Sequence, residues 1–241
     1  MNKYVSLSAA DARNIMRDPM LVMALAGPLI LAVAVRHSLR FLTEWLGHAG
    51  VMDLTVYYDL ILIETLLLLP LMLGMIAGFL MLDERDEQLI SYFAVTPLTK
   101  SGYLIYRLSS PVLLSAAYTV FFVYFIDLVR ISPVQLVLLT LLLSLQAPAV
   151  SLLLLAFAAN KVEGLALSKG IGITMAAPIA IYFAPEPWSW LTSMLPSFWI
   201  AKAYWAGQQA SPYTVWFYSA AFAIHLLLIG WFYRRYARRN D

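Results

Sequence analysis

Long apolar stretches without a single charge constrain what this chain can fold into. No charged residue occurs between Asp18 and Arg36, and none occurs between Glu64 and Asp83. A helix needs about 20 mainly apolar residues to cross a bilayer, which is close to the length of these stretches. Only 12% of the residues are charged, against roughly 25% in soluble domains. With no Cys in the chain, the pattern excludes a soluble enzyme, a disordered chain and a disulfide-stapled module. It predicts a polytopic membrane protein.

The apolar stretches predict an all-α integral membrane protein with six transmembrane helices. The spans are expected at about 19–35, 56–82, 108–126, 134–159, 165–184 and 213–233. The fifth span has the weakest pattern, because Lys169 lies near its start and Pro178 within it. Strand-type alternation is absent, which disfavours a transmembrane β-barrel.

Positive charges predict the orientation, because cytoplasmic loops carry an excess of Lys and Arg. With the N-terminus inside, 12 of the 16 Lys and Arg residues fall on the cytoplasmic side. The four on the outer side are Arg36, Arg40, Arg130 and Lys202. We therefore expect both termini in the cytoplasm, including the basic tail at residues 234–241.

Residues 83–107 form the most informative segment outside the spans. Five consecutive charged residues, Asp83 to Glu87, precede Leu89, Ile90 and Phe93, which recur at helical spacing. Pro97 ends this short helix, because the residue before a proline is pushed out of the α region. The pattern predicts an acidic turn, a short helix and a return into the membrane. A plain solvated loop needs no apolar helical face, so a protein partner on that face is favoured.

Three further segments lie outside the predicted spans. Residues 1–18 predict an amphipathic helix in the membrane interface, which serves either as an anchor or as a docking surface. Residues 160–164 predict a short cytoplasmic turn. Residues 185–212 are long and aromatic, and they predict short interfacial or re-entrant helices before the last span. Those helices form either a lid over an exit path or a packing surface for the outer leaflet.

Four polar residues fall within or near the spans and are candidates for a transport pathway. Asp59 and Glu64 lie in the outer part of the second span, and an intramembrane acid is costly unless it is paired or hydrated. They lie instead among the outer headgroups if residues 65–82 alone cross the membrane. Gln146 and His225 lie nearer the middle and are expected to form hydrogen bonds between helices.

Chemistry-bearing motifs are missing from the sequence. It has no P-loop, no paired-His metal motif and no nucleophile elbow. We expect no enzyme activity, no cofactor and no metal in the chain, and its net charge of +2 gives no indication of nucleic-acid binding.

The overall pattern resembles the membrane permease subunits of type-2 ATP-binding-cassette (ABC) exporters, and small permeases labelled as fluoroquinolone or drug exporters look most similar. The resemblance lies in the start at Asp11–Asn14, the Asp83–Glu87 cluster, Val95-Thr96-Pro97-Leu98 and Asn160–Gly164. The six-span order with a Trp-rich segment before the last span also matches.

This resemblance implies a permease that works as a dimer, with an identical or sister copy, in a bacterial inner membrane. Two separate ATPase subunits would bind ATP and Mg, and residues 1–18 would form the connecting helix. Residues 88–94 would form the coupling helix. The implied ATPase contacts are Asp83, Glu84, Arg85, Asp86, Glu87, Leu89, Ile90, Phe93, Thr96, Pro97, Asn160, Lys161, Glu163, Asp11, Arg13 and Arg17. An amphipathic drug, a peptide or a lipid-like compound would be the substrate.

Two other functions are compatible with the residues. An ion-coupled secondary transporter or channel would use Glu64 and Asp59, although no convincing internal repeat supports it. A membrane scaffold that transmits signals is the weaker alternative.

Overall fold

A computed structural model describes residues 19–88 and 99–240, with side chains over 26–88 and 102–239. Every regular element in these residues is a helix. The eight α-helices are α1 (Pro19–His48), α2 (Tyr58–Asp86), α3 (Thr99–Ile126), α4 (Pro133–Phe157), α5 (Lys161–Ile171), α6 (Ala176–Phe183), α7 (Pro196–Gln208) and α8 (Thr214–Asn240). Short 3-10 helices occur at Leu54–Tyr57, Gly172–Met175 and Trp188–Met194.

The chain divides into two compact units, residues 1–54 and 55–241. In the first unit, α1 contains the first predicted span and continues past Arg36 and Arg40 to His48. In the described residues, five helices are long and apolar enough to cross a membrane: Leu54–Asp86, Gly102–Ile126, Pro133–Phe157, Lys161–Phe183 and Thr214–Arg239. These five correspond to the second to sixth predicted spans, and the count of six stays a prediction.

Helix α4 is the centre of the second unit. It packs against α2, α3 and α8, and also against α5 and α7. In the most apolar 18-residue stretch of α4, 67% of the residues are buried, compared with 22% in the same kind of stretch of α8. Ser132 caps its first turn by accepting a hydrogen bond from the Gln135 amide, and Pro133 occupies the first position, where a missing N–H has no cost.

Helix α2 approaches α4 closely at Gly74 and Gly78. A Cβ atom on Gly74 would clash with the Ala147 carbonyl oxygen, and one on Gly78 would lie 2.7 Å from a methyl of Leu154. The Ser151 hydroxyl donates a hydrogen bond of 2.8 Å to the Gly74 carbonyl across this contact. Small residues of this kind let two helix backbones approach in lipid, where helix association depends on close packing. The GxxxG pair thus joins two helices of the same chain.

The fifth predicted span is a broken helix. The chain leaves α-helical geometry at Gly172–Met175 and resumes it in α6. Pro178 has no N–H to donate to the Thr174 carbonyl, four residues earlier. The Ser197 hydroxyl of α7 donates to that carbonyl instead, at 2.5 Å. A backbone amide at the end of the 3-10 segment also donates to this carbonyl, so the Ser197 side chain adds a second hydrogen bond.

Several helices extend beyond the predicted spans. Helix α2 continues to Asp86, so the charged cluster belongs to its last turn and the predicted acidic turn is wrong for Asp83–Asp86. Helix α3 begins at Thr99, well before the predicted start at Leu108. The basic tail continues α8 as helix to Asn240, because Tyr236 is buried against the bundle.

The aromatic segment before the last span folds into the 3-10 helix Trp188–Met194 and into α7. Phe198, Ala201 and Tyr204 of α7 are fully buried. Helix α7 packs against α8, α6 and α4. The segment is thus part of the helix bundle and not only a cover on it.

The close contact at Gly74 leads to a prediction about the stability of the protein. Gly74→Ala should destabilise the protein by about 1–3 kcal/mol, because the new methyl meets a backbone carbonyl that cannot rotate away. Gly230→Ala is the matched control in α8, since nothing lies within 4 Å of its Cβ position. Thermal unfolding of the purified protein in detergent would measure both. An unchanged midpoint for Gly74→Ala would contradict the close contact.

Candidate functional site

The candidate site is the end of the bundle where α2 stops and the predicted coupling segment begins. Helix α2 ends at Asp86, and Gln88 adopts a left-handed backbone with φ of 61°. A residue in this conformation commonly terminates a helix and turns the chain away from its axis. The last turn of α2 thus joins directly to residues 89–98, and the contacts of this turn determine what a movement of the loop can reach.

Glu84 is buried and ties α2 to α3. It accepts hydrogen bonds from the Tyr103 hydroxyl and from two nitrogens of Arg107, one of them Nε at 3.1 Å. Its side chain is 9% exposed and that of Arg107 is 17% exposed. Removal of one partner of such a pair leaves an uncompensated buried charge, at a cost of about 3–5 kcal/mol. The sequence places Glu84 in the predicted ATPase contact, whereas the structure directs it into the bundle.

Arg85 closes the end of α4. Its guanidinium donates to the Leu155 carbonyl at 3.3 Å and to the Ala158 carbonyl at 2.5 Å. Two arginines of α8 join it: Arg235 donates to the Ala156 carbonyl, and Arg239 donates to the Ala158 carbonyl at 3.1 Å. The last carbonyls of a helix have no partner within the helix and carry a partial negative charge. Arginines from α2 and α8 supply both the donors and the opposite charge.

Asp83 and Asp86 connect α2 to the start of α5. The ammonium of Lys161 lies 2.6 Å from Asp83 Oδ2. The backbone amide of Lys161 donates a hydrogen bond of 3.1 Å to the carboxylate of Asp86. Gly164 reinforces this contact, because a Cβ there would lie 2.6 Å from a methyl of Leu82. The last turn of α2 and the first turn of α5 are therefore in direct polar and apolar contact.

Asn160 and Glu163 cap α5 reciprocally. The Asn160 side chain accepts from the Glu163 amide at 2.9 Å, while the Glu163 carboxylate accepts from the Ala159 amide at 2.6 Å. This arrangement resembles a capping box and satisfies amides that a helix start otherwise leaves open. The predicted second turn at 160–164 is thus a helix N-terminus, and both side chains are used within the chain.

Three segments predicted to share the cytoplasmic side therefore meet at one end of the unit: the last turn of α2, residues 160–164 and the end of α8. Glu87 follows as an exposed residue next to Gln88. Eight residues of the predicted ATPase contact lie outside the described residues: Asp11, Arg13, Arg17, Leu89, Ile90, Phe93, Thr96 and Pro97.

Asp59 lies at the opposite end of the unit, in the first turn of α2. It accepts a hydrogen bond from the Tyr204 hydroxyl at 2.5 Å and one from the Gln208 amide at 3.2 Å. Gln135 of α4 donates to the Tyr204 carbonyl at 2.9 Å. These contacts give Asp59 partners that hold α7 against α2 and α4.

Glu64, Gln146 and His225 retain unused polar atoms. Within the described residues, Glu64 Oε1, Gln146 Oε1 and His225 Nε2 are buried and have no hydrogen-bond partner. The other ring nitrogen of His225 bonds the Ala221 carbonyl of its own helix at 2.8 Å. The expected bond from His225 to another helix is therefore wrong. Glu64 is half-buried, and no partner bonds its buried oxygen, whereas Tyr204 and Gln208 both bond Oδ1 of Asp59.

An ion pair lies in the aromatic segment before the last span. The ammonium of Lys202 is 2.5 Å from Glu186 Oε1, and the Trp190 indole donates to Glu186 Oε2 at 2.5 Å. These two hydrogen bonds lower the pKa of Glu186 below its usual value. Together with Tyr182, Trp205 and others, the three residues line a cavity of about 470 Å³.

Sequence reasoning missed the residues that hold the site together. Arg107, Arg235 and Arg239 were expected only to set the orientation, and Tyr103 had no assigned role. An arginine one turn after a tyrosine near the start of a span is the one available signal, and it does not specify Glu84 as the partner. No group of three or more His, Cys, Asp or Glu residues in the described part of the chain could hold a metal ion.

Comparisons with known proteins bear on identity. A family model described as fluoroquinolones export permease protein Rv2686c-like matches residues 11–233. Two curated proteins, each named as a fluoroquinolones export permease protein, are 32% identical to the chain over 234 residues. They come from Mycobacterium tuberculosis strains CDC 1551 / Oshkosh and ATCC 25618 / H37Rv. The match covers 95% of this chain and 92% of theirs. No solved structure gives a significant match.

The family model covers most of the chain, including the second to sixth spans. With five apolar helices long enough to cross a membrane, the chain is a multi-pass membrane protein. It belongs to the Rv2686c-like family of fluoroquinolones export permeases.

Proposed function

We propose that the chain is the permease subunit of an ATP-driven ABC exporter. It forms the substrate pathway as a dimer with an identical or sister permease and has no ATPase site of its own. Two separate subunits bind ATP and Mg and act on the permease through residues 83–99. The proposed location is a bacterial inner membrane, with both termini in the cytoplasm.

One observation carries this proposal: the helix turn that leads into residues 89–98 is joined to three other helices. Glu84 connects it to α3, Arg85 to the end of α4, and Asp83 to the start of α5. A force applied to the loop would therefore reach α3, α4 and α5 together. A loop that only connected two spans would need none of these contacts.

The polar contacts with α5 and the apolar contact at Gly164 suggest how movement reaches the pathway. Helix α5 begins a broken span, and Gly172–Met175 separates it from α6. A 3-10 stretch within a helix often marks a hinge, which would permit the two halves to move separately. We propose that α2 and this broken span line the path, so that movement of the loop changes the path near the break.

A drug-like compound is the proposed substrate, because the relatives are named for the export of fluoroquinolones. An amphipathic drug, a peptide or a lipid-like compound would fit the same apolar pathway. In the described residues, the bundle offers few charges between its two ends, so selection would depend on shape and apolar contact.

One observation favours a second candidate function, ion-coupled transport. The oxygen of Glu64 that has no partner is buried within a spanning helix, where such a group is often functional. Asp59 is less suited to this role, since Tyr204 and Gln208 already bond its carboxylate.

The predicted coupling helix can be tested by substitutions on its two faces. Leu89→Asp or Phe93→Asp should abolish stimulation of the ATPase by the permease, because each places a charge on the apolar face. Ser91→Asp is the matched control, since it falls on the opposite side of the same predicted helix. ATP hydrolysis and drug export would be measured in proteoliposomes. Full transport by both apolar-face variants would refute the coupling-helix assignment.

The role of the ion pair between α2 and α5 can be tested by removing its positive charge. Lys161→Gln should weaken the coupling of ATP hydrolysis to export while stability changes by less than about 1 kcal/mol, because the pair is exposed. Lys169→Gln is the control on the same helix. The exchange Asp83→Lys with Lys161→Asp should restore part of the coupling. Equal export by the Lys161 and Lys169 variants and the parent protein would contradict this role.

Glu64 separates the two candidate functions. Glu64→Gln should leave ATP-dependent export nearly intact, because the amide keeps the size of the side chain and removes only its charge. Export would be followed with and without a proton gradient, with assembly checked by copurification of the ATPase. A total loss of export with normal assembly would favour ion coupling.

A further inference from the structure

A strongly cationic cavity lies beside the end of α8. Its volume is about 450 Å³, and its lining consists of Ala156, Trp231, Arg234, Arg235, Arg238 and Arg239. None of these residues is acidic. Four guanidinium groups around one cavity repel each other unless an anion occupies it.

The spacing of the arginines divides them into two pairs. Arg235 and Arg239 reach the carbonyls at the end of α4, as described above. Arg234 and Arg238, one turn apart, are exposed and have no hydrogen bond or ion pair within the described part of the chain. The second pair thus has donors available for a ligand.

The cavity also has an aromatic wall, which is the ring of Trp231. The rings of Trp231 and Phe157 lie 5.8 Å apart in an edge-to-face arrangement. The guanidinium of Arg235 lies 4.4 Å from the centre of the Phe157 ring. The cavity is therefore apolar on the side toward the spanning part of α8 and cationic on the side toward its end.

We propose that this cavity binds the phosphodiester headgroup of an anionic phospholipid. Arg234 and Arg238 would donate to the phosphate oxygens, since the planar guanidinium matches phosphate in a bidentate geometry. Trp231 and Ala156, the apolar residues of the lining, would contact the glycerol and the start of the acyl chains. Basic cavities at the ends of transmembrane helices commonly bind such headgroups.

The position of the cavity favours a lipid over a soluble anion. The four arginines follow directly after the apolar part of α8, which places them at headgroup depth. Trp is enriched at this depth, and Trp231 is 54% exposed. A free phosphate would use the guanidinium groups but would leave the aromatic wall without a partner.

Lipid titration of the intact chain in neutral detergent tests the proposal. Phosphatidylglycerol and phosphatidylcholine with the same acyl chains would be added, and bound lipid counted by native mass spectrometry. We expect preferential binding of phosphatidylglycerol. The double variant Arg234→Gln and Arg238→Gln should weaken it by about fivefold per arginine. The variant Arg40→Gln with Arg130→Gln removes the same charge elsewhere and should retain the preference. Thermal unfolding in detergent alone checks that both variants fold.

Three outcomes would overturn the proposal. In the first, the Arg234 and Arg238 variant binds phosphatidylglycerol as the parent does, or the control variant loses as much binding. In the second, inorganic phosphate displaces the lipid at equal concentration, which indicates a soluble-anion site. In the third, neither lipid is preferred, and the Arg234 and Arg238 variant no longer copurifies with the ATPase subunit, which indicates a protein-docking surface.

Discussion

The satisfaction of backbone polar groups at the end of α4 is the constraint on which the rest of the bundle depends. A buried carbonyl without a partner costs about 1–3 kcal/mol, because the bond that it makes to water in the unfolded chain is not replaced. Helix α4 lies at the centre of the unit, so its terminal carbonyls are surrounded by other helices. Arg85 and Arg239 both donate to the Ala158 carbonyl, and the ends of α2 and α8 are thereby held at the end of α4.

The same constraint explains the broken fifth span. Pro178 leaves the Thr174 carbonyl without its usual donor, and Ser197 of α7 supplies one. The aromatic segment before the last span packs inside the bundle, where one of its side chains bonds the backbone of the neighbouring span. The 3-10 segment is thus held in place by a contact with α7.

Much of the architecture follows from the sequence. The apolar stretches locate the second to sixth spans, because burial in lipid demands long runs without charge, although α3 begins earlier and α8 ends later than predicted. The pattern also brings the correct segments together: residues 83–86, 160–164 and 234–239 share one end of the unit. The roles within this end were not predictable. Glu84 and Asp83 are neighbours in a charged run, yet one is buried against Tyr103 and Arg107 and the other forms an exposed ion pair with Lys161.

By itself the sequence determined that the chain enters a membrane, where its apolar helices lie and which loops carry charge, because these properties depend on composition along a local window. Only the tertiary structure decided which charges pair within the chain and which remain for a ligand. The physical reason is the helix register, because consecutive side chains on a helix point about 100° apart. In the charged run, Glu84 therefore faces Arg107 of α3, Arg85 faces the end of α4, and Asp83 faces Lys161 of α5. Arg234 and Arg235 differ in the same way, since one faces the cationic cavity alone and the other also bonds the end of α4.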